Sequence, residues 1–548
     1  MISEKESEQA GLGQGSEGVG ARPGTVYLVG GGPGDPGLVT VRGAELIASA
    51  DVILHDELVH PALLEGARGE VRSVGKRGGD QASKQAKQEA ISAELVALAK
   101  KNLRVVRLKG GDPFLFGRGS EEALSLAAAG VPFEIVPGVC SPLAAAAYAG
   151  ISLTHRELAS SVTLVSGTVQ GGAPFAFREL LGIKGTICVL MGMHDIERIT
   201  AELIQEAGRD PATPAAVVQW GTRAEQRVIT GRLDEIAAAA RVEKLGSPAL
   251  IVVGEVVSLR SGLRWFDRWP LFGKRVLITR PRNQAGGLAR LVRRRGGEAV
   301  IWPAIAIGPP PDPALAAREA RSVGRYDLVV FTSENGVSRF FEELSSAGLD
   351  ARALGRCCVA AIGPGTAASL RGRGIVADIV PGVYRGEALA DAILADPVVA
   401  SELAARSSSG SPFRVLIPRA LVAREILAER LRAAGCEVAV VPVYETRPAS
   451  PEAQAELRRR LREGGVGVVL LTSSSTADSL SDALGAEAPD LLRGVVVASI
   501  GPITTATAEK RGLLVSVTAE ESTVTGLLDA VEKHLGLGSS RERSNLQL

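Results

Sequence analysis

The sequence predicts an α/β protein of several domains, and three observations carry that prediction. The chain has 548 residues, of which 45% are apolar and only 4% aromatic. That length suits several domains at about 150 residues each, and a core of Gly, Ala, Val and Leu suits packed sheet and helix layers. Short apolar runs alternate with amphipathic stretches along most of the chain, as strands alternating with helices do. The second half also repeats itself. RVLITRP from Arg275 echoes RVLIPRA from Arg414, and GGEAVIWPAIAI from Gly296 echoes AGCEVAVVPVYET from Ala434. VVFTSENGVSRF from Val329 echoes VVLLTSSSTADSL from Val468, and AAIGPGTAASLRGRG from Ala360 echoes ASIGPITTATAEKRG from Ala498. A period of about 140 residues is too long for a solenoid and right for duplicated domains.

Composition narrows the function. The formal net charge is +1, so no overall field draws in nucleic acid or an anionic membrane. No apolar run approaches the ~18 residues of a membrane span. The five cysteines, Cys140, Cys188, Cys357, Cys358 and Cys436, lack C-x-x-C spacing, which argues against a disulfide framework or a zinc site and fits a reducing cytoplasm. Residues 1–23 are rich in Gly, Glu and Ser without an apolar core and read as a disordered tail, as do residues 537–548.

In chain order, Val26 to Val29 reads as a buried strand running into GGGPGDPG, Gly30 to Gly37. This loop is not a dinucleotide fingerprint, because Asp35 stands where the third glycine would fall and Pro33 removes an NH that a pyrophosphate cradle wants. A helix is predicted from near Thr40. Ala50 to His55 is the second strand, with Asp56 at its C-terminal end, where chemistry sits in α/β sheets. Val71 to Val74 leads into the basic turn GKRGG, Gly75 to Gly79, and Gln81 to Lys101 reads as a helix.

The stretch LKGGDPFLFGRGSEE, Leu108 to Glu122, organises the first half. A strand, Arg104 to Leu108, enters it. Gly110 and Gly111 bare the backbone for close approach to a ligand, and Pro113 turns Asp112 away from helix. A helix then starts after Gly119, with Glu121 and Glu122 placed to suit its dipole and Leu124, Ala127 and Ala128 predicted as its buried stripe. Val131 to Val136 is another strand, ending in PGVCSP, Pro137 to Pro142. Ile187 to Gly192, Ala215 to Gly221 and Ser247 to Gly254 complete the strand-like runs, and Arg264 to Pro270 is an aromatic, charged join.

LKGGDPFLFGRGSEE resembles the signature of uroporphyrinogen-III C-methyltransferases in the tetrapyrrole methylase family, and further family motifs recur in order from about Gly24 to Arg260. The resemblance implies S-adenosylmethionine as methyl donor, uroporphyrinogen III as substrate, methylation at carbons 2 and 7 to precorrin-2, no metal, and a homodimer through this half. It makes Asp56 the proton acceptor and Lys76 the donor. A carboxylate is chemically apt, since methylating a pyrrole carbon leaves a proton to remove. It assigns cofactor contacts to Pro33, Gly110, Gly111, Asp112, Leu115, Cys140, Ser141, Met191 and Gly221. The family more often has Thr at Cys140 and Tyr at Leu190. A thiol is a weak hydrogen-bond partner, so main-chain contact is expected at Cys140. Arg156, in THR from Thr154, is placed to pair with a substrate carboxylate.

The second half, from about Phe272 to Leu535, resembles uroporphyrinogen-III synthase, most specifically in IGPITTATA, Ile500 to Ala508. The expected fold is two flavodoxin-like parallel α/β subdomains, 273–308 with 448–536 and 309–447 between them, after a methylase domain over 24–262 and a linker at 263–272. The resemblance implies cyclisation of hydroxymethylbilane with inversion of its last ring, a positioning task with some charge stabilisation. Arg280, Thr332, Ser333, Arg419, Thr472 and Ser473 are candidate carboxylate contacts. Thr504 matches the family position near substrate, and Tyr444 is a candidate for a proton role or a buried structural tyrosine. The hydroxyl-rich loops also read simply as helix caps. The whole chain therefore reads as a bifunctional enzyme of sirohaem or cobalamin synthesis. The alternative is a methylase of a later corrin precursor fused to a non-catalytic tetrapyrrole-binding module.

Overall fold

The computed structural model describes residues 22–75, 81–168, 173–423 and 425–536, without the side chains of 81–84, 282 and 283. It divides into two compact units. The first comprises the residues up to Lys274 with Val292–Glu298, and the second comprises Arg275–Leu291 and Ala299 onward. Lys76 and the terminal segments 1–21 and 537–548 lie outside the described residues.

The first unit begins with five parallel strands, β1 (Val26–Gly30), β2 (Val52–His55), β3 (Glu70–Ser73), β4 (Val105–Lys109) and β5 (Phe133–Val136), in the order β3-β2-β4-β1-β5. Both faces are covered, which is why β1 is buried at every position. Leu46 and Ile47 of the helix Val41–Ser49, capped by Thr40, pack with Tyr27, Val29 and Val106 on one face. Leu95 and Leu98 of the helix Gln81–Lys100 pack with Val26, Leu28 and Val105 on the other, joined by Ala123 and Leu126 of the helix Gly119–Ala128. The helices that follow the neighbouring strands β1 and β4 thus lie on opposite faces. That is the switch point of a doubly wound sheet, where a crevice opens beyond the strand ends.

The helix Gly119–Ala128 is rotated from its expected face. Leu124 is exposed, as are Ala127 and Ala128, while Glu122, Ala123 and Leu126 are buried. The cause is electrostatic: buried cations on β4 hold Glu122 inside.

A second sheet contains β6 (Val162–Ser166), β7 (Thr186–Leu190), β8 (Pro214–Gln219), β9 (Arg227–Arg232) and β10 (Ala249–Val253), in the order β6-β7-β10-β8-β9. β6 and β7 run parallel, whereas β10 runs antiparallel to both its neighbours and β8 antiparallel to β9. β6 and β9 are strands that the apolar runs did not mark. β9 carries Arg at both ends and is largely exposed at an edge, so it lacks the apolar pattern of a buried strand.

The second unit holds two more sheets. β11 (Arg275–Ile278), β12 (Glu298–Ile301), β18 (Val468–Leu471), β19 (Val496–Ser499) and β20 (Val517–Thr518) form one, in the order β12-β11-β18-β19-β20. β13 (Ile305–Gly308), β14 (Leu328–Phe331), β15 (Cys358–Ala361), β16 (Phe413–Ala420) and β17 (Cys436–Pro448) form the other, in the order β13-β17-β16-β14-β15. The pairings β11–β18, β18–β19, β14–β15 and β14–β16 are parallel. One edge departs from the all-parallel expectation. β13 pairs antiparallel with the far end of β17, Ile305 against Pro448. Ile305–Gly308 therefore belongs with the second sheet and not with the preceding segment. At 13 residues β17 outlasts β16 and leaves backbone groups for an added edge strand.

Among the described residues no helix is long and apolar enough to cross a membrane.

Candidate functional site

In the first unit the loop ends of β1, β4 and β5 meet so closely that side chains are excluded. A Cβ on Gly30 would lie 2.5 Å from Gly138 Cα, and one on Gly138 would lie 2.2 Å from the Gly111 carbonyl oxygen. Gly111 takes φ +67°, a left-handed conformation that glycine adopts without strain. Gly32 N–H donates to Gly111 O at 3.2 Å, and Gly111 N–H donates back to Gly32 O at 2.7 Å. This reciprocal bridge ties GGGPGDPG to LKGGDPF.

The crevice beyond is a cavity of about 850 Å³. Pro33, Asp56, Gly110, Gly111, Leu115, Ser141, Met191 and Gly221 all line it. Asp112 and Cys140 stand behind the wall. The Asp112 carboxylate accepts from Phe114 N–H at 2.8 Å and Gly138 N–H at 3.0 Å, shaping the turn. Cys140 precedes the helix Ser141–Tyr148. Burial raises its thiol pKa, so it is a poor nucleophile. Arg156 is exposed and does not line the cavity.

Strain concentrates here. Seven non-glycine residues have positive φ among the described residues, and four of them, Phe116, Arg118, Met191 and Trp220, line this cavity. Non-glycine residues hold that backbone where surrounding structure over-determines it, as ligand sites commonly do. Met191 sits one residue beyond β7 and is 53% exposed, so it is a wall residue and not core.

The cavity floor is a buried ion cluster. Along β4, alternation points Val105, Arg107 and Lys109 toward the helices Gln81–Lys100 and Gly119–Ala128. Arg107 and Lys109 are each 2% exposed and Glu122 is 0% exposed. Arg107 Nε donates to Glu122 Oε1 at 3.0 Å, its Nη1 donates to the carbonyls of Leu54 and Leu108 at 3.4 and 3.3 Å, and its Nη2 donates to Asp56. Lys109 Nζ lies 3.2 Å from Glu122, and Gln88 Nε2 donates to Glu122 Oε1 at 3.0 Å. Burial, reinforced by Arg107, lowers the Lys109 pKa, although Asp56 and Glu122 oppose that shift. Four charges thus sum to zero, and one of them, Asp56, remains partly exposed to the cavity. Gln88, Arg107 and Lys109 were assigned no role from sequence, and Glu122 only that of a first-turn acid suiting its helix dipole. The signal was present in two cations at i and i+2 on an otherwise apolar strand.

The lining fits the donor that the resemblance implies. A Cβ on Gly110 would meet only Leu58 Cβ, at 3.7 Å, so bare backbone faces open space. Leu115, Leu190, Leu250 and Trp220 give apolar walls, and such a mixture of apolar walls with a few polar groups suits a nucleoside-sized ligand.

The second unit has a cavity of about 470 Å³ between its two sheets. Arg280, Ser333, Tyr444, Thr472 and Ser473 line it, with Glu334, Gly363, Gly365, Thr366, Tyr384 and Thr446, which sequence did not single out. The helices Glu334–Ser346, Pro364–Arg371 and Ser474–Leu484 all begin at it. Ser333 Oγ accepts from Gly336 N–H at 3.0 Å and Ser473 Oγ from Thr476 N–H at 3.3 Å, so both hydroxyls are helix caps. Tyr444 OH lies 3.0 Å from Ser333 Oγ, and burial raises the Tyr444 pKa. Thr332 is not among the lining residues. Arg419 is buried against Glu425. Thr504 is 6% exposed, on the core-facing side of the helix Pro502–Lys510; the turn of that helix directs Ile503, not Thr504, to the surface.

Two family models match the chain. One, described as uroporphyrinogen-III synthase HemD, covers residues 287–529, and the other, tetrapyrrole (corrin/porphyrin) methylases, covers residues 25–237. The porphyrin biosynthesis protein HemD of Ruminiclostridium josui is 35% identical over 510 residues, 92% of this chain and 97% of that protein. The siroheme synthase of Pseudomonas fluorescens (strain SBW25) is 47% identical over 248 residues, 45% of this chain; the chain spans about half of that relative, 53% of its length. A solved structure of uroporphyrin-III C-methyl transferase from Thermus thermophilus, complexed with S-adenyl homocysteine, is 43% identical, with a TM-score of 0.38 over 43% of this chain and 99% of that one.

Proposed function

The chain belongs to the family that joins a tetrapyrrole methylase to a uroporphyrinogen-III synthase, and on that premise we propose that it makes uroporphyrinogen III from hydroxymethylbilane and methylates it at carbons 2 and 7 to precorrin-2. The observation that supports the methylase reading most directly is a partly exposed carboxylate, Asp56, fixed by a buried guanidinium beside a glycine-lined cavity. When bound, S-adenosylmethionine would supply an electrophilic methyl group. Gly110, Gly111, Ser141 and the apolar walls would hold that donor by backbone contact and shape. Asp56 would receive the proton that leaves the methylated pyrrole carbon, and the walls would keep bulk water from it.

In the second unit, Arg280 is the cation on the cavity wall, and it has no ion pair among the described residues. Three helix N-termini add partial positive charge. These groups suit the carboxylates of a linear tetrapyrrole and leave ring closure to positioning.

Incubating the full chain with hydroxymethylbilane, with and without S-adenosylmethionine, tests both halves. The expected products are isomer III without the donor and a doubly methylated species with it. Isomer I alone would overturn the synthase reading. Failure to methylate added uroporphyrinogen III would overturn the methylase reading.

A further inference from the structure

We propose that Glu122 is a positioning residue for methyl transfer: it offsets the second buried cation of the cluster and anchors Arg107, so that Asp56 is held at the cavity wall as a usable base. This rests on the methylase reading above.

The geometry is that of a shared guanidinium. Arg107 faces Glu122 through Nε and Asp56 through Nη2, while its remaining nitrogen is spent on two backbone carbonyls. It therefore has one orientation, and Glu122 sets it. Charge makes the second part of the case. Arg107 and Lys109 both lie within the low-dielectric floor beneath Asp56. With Glu122 present the two cations and two carboxylates balance. Without it, Asp56 alone would face both cations, its anion would be over-stabilised, and its capacity to take a proton would fall. The other charged groups lining the cavity are Glu57, Arg118 and Arg223. Arg118, paired with Glu121, and Arg223, donating to the Leu58 carbonyl, are themselves cations, and Glu57 is exposed, so none of them supplies the buried negative charge of Glu122. Gln88 contributes one neutral donor to Glu122 and leaves the charge count unchanged.

The test uses the full chain with uroporphyrinogen III and S-adenosylmethionine. Glu122→Gln should lower kcat by roughly tenfold or more and leave the KM for the donor nearly unchanged. The acidic limb of its pH–rate profile should move to lower pH, which a merely structural role would not produce. Combined with Asp56→Asn, it should cost nothing beyond Asp56→Asn alone, since the base it serves is already gone. Retention of more than half the wild-type kcat, an unmoved limb, or a multiplicative double variant would overturn the proposal. Lys109→Met with Glu122→Gln restores neutrality and guards against simple unfolding. It should recover the acidic limb while kcat stays low, because Arg107 still lacks its anchor, and full recovery of kcat would overturn the anchoring role. A wild-type chain that does not methylate would overturn the underlying reading and this proposal with it.

Discussion

The two cavities solve opposite electrostatic problems. In the first unit the charges are buried and mutually neutralised, and one carboxylate is left at the surface of the balance. In the second unit the wall offers hydroxyls, helix N-termini and an arginine without an ion pair among the described residues. The first arrangement favours moving a proton at a fixed atom. The second favours gripping carboxylates and leaving reactive atoms to find one geometry. The difference teaches that a site can be read by what its charges are already paired with, more than by which charged residues it contains.

Asp56→Asn should separate the two most strongly. Methylation should fall by about 10²–10⁴-fold while isomer III formation is unchanged, as initial rates on the two substrates would show. A matching loss of both activities would break the comparison. Arg280→Ala should do the reverse. Losing a charged hydrogen bond worth about 1.5–3 kcal/mol should lower kcat/KM for hydroxymethylbilane by roughly 10–100-fold, less at high salt, without touching methylation of added uroporphyrinogen III.

Two glycines sharpen the first cavity. Gly138→Ala drives a Cβ to 2.2 Å from backbone oxygen and should cost about 1–3 kcal/mol of stability in denaturant unfolding. Gly110→Ala meets only the Leu58 side chain at 3.7 Å, so it should keep stability near wild type and weaken binding of S-adenosylhomocysteine in calorimetry. The smallest effect belongs to Tyr444→Phe. It removes one neutral hydrogen bond to Ser333, about 0.5–1.5 kcal/mol, and should slow cyclisation by less than about tenfold. A collapse of activity would instead give that phenol a proton-transfer role.

Much of the first cavity was legible because its residues sit at strand ends in motifs of unusual composition. Pro33, Gly110 and Ser141 mark loops that only close backbone approach explains. The floor was not legible. Glu122 looks like a first-turn acid, and Arg107 looks like the outward position of a half-exposed strand. Only the two helices packed over β4 make them interior groups. Trp220 and Pro248 reach the wall from strands β8 and β10, distant in sequence. In the second unit the repeat marked loops that line the cavity, but it could not tell which face of a helix turns inward. Thr504 and Ile503 are neighbours with opposite fates, and a period of 3.6 residues is too fine to fix from one motif.

The divided sheet of the second unit has a consequence for synthesis. β11 pairs with β18, Val276 against Val468, so the strand emerges from the ribosome long before its partner. At about 5–20 residues per second, it waits roughly 10–40 seconds. The segment containing β13 to β17 is synthesised within that interval and holds every strand of its own sheet. The inserted half can therefore act as a scaffold already in place when the ends of the outer half are brought together, which shortens the effective loop that β11 and β18 must close. Truncations within the last third should then leave an ordered middle and a β11 that has β12 on one side but lacks β18 on the other, an open apolar edge for chaperones to guard.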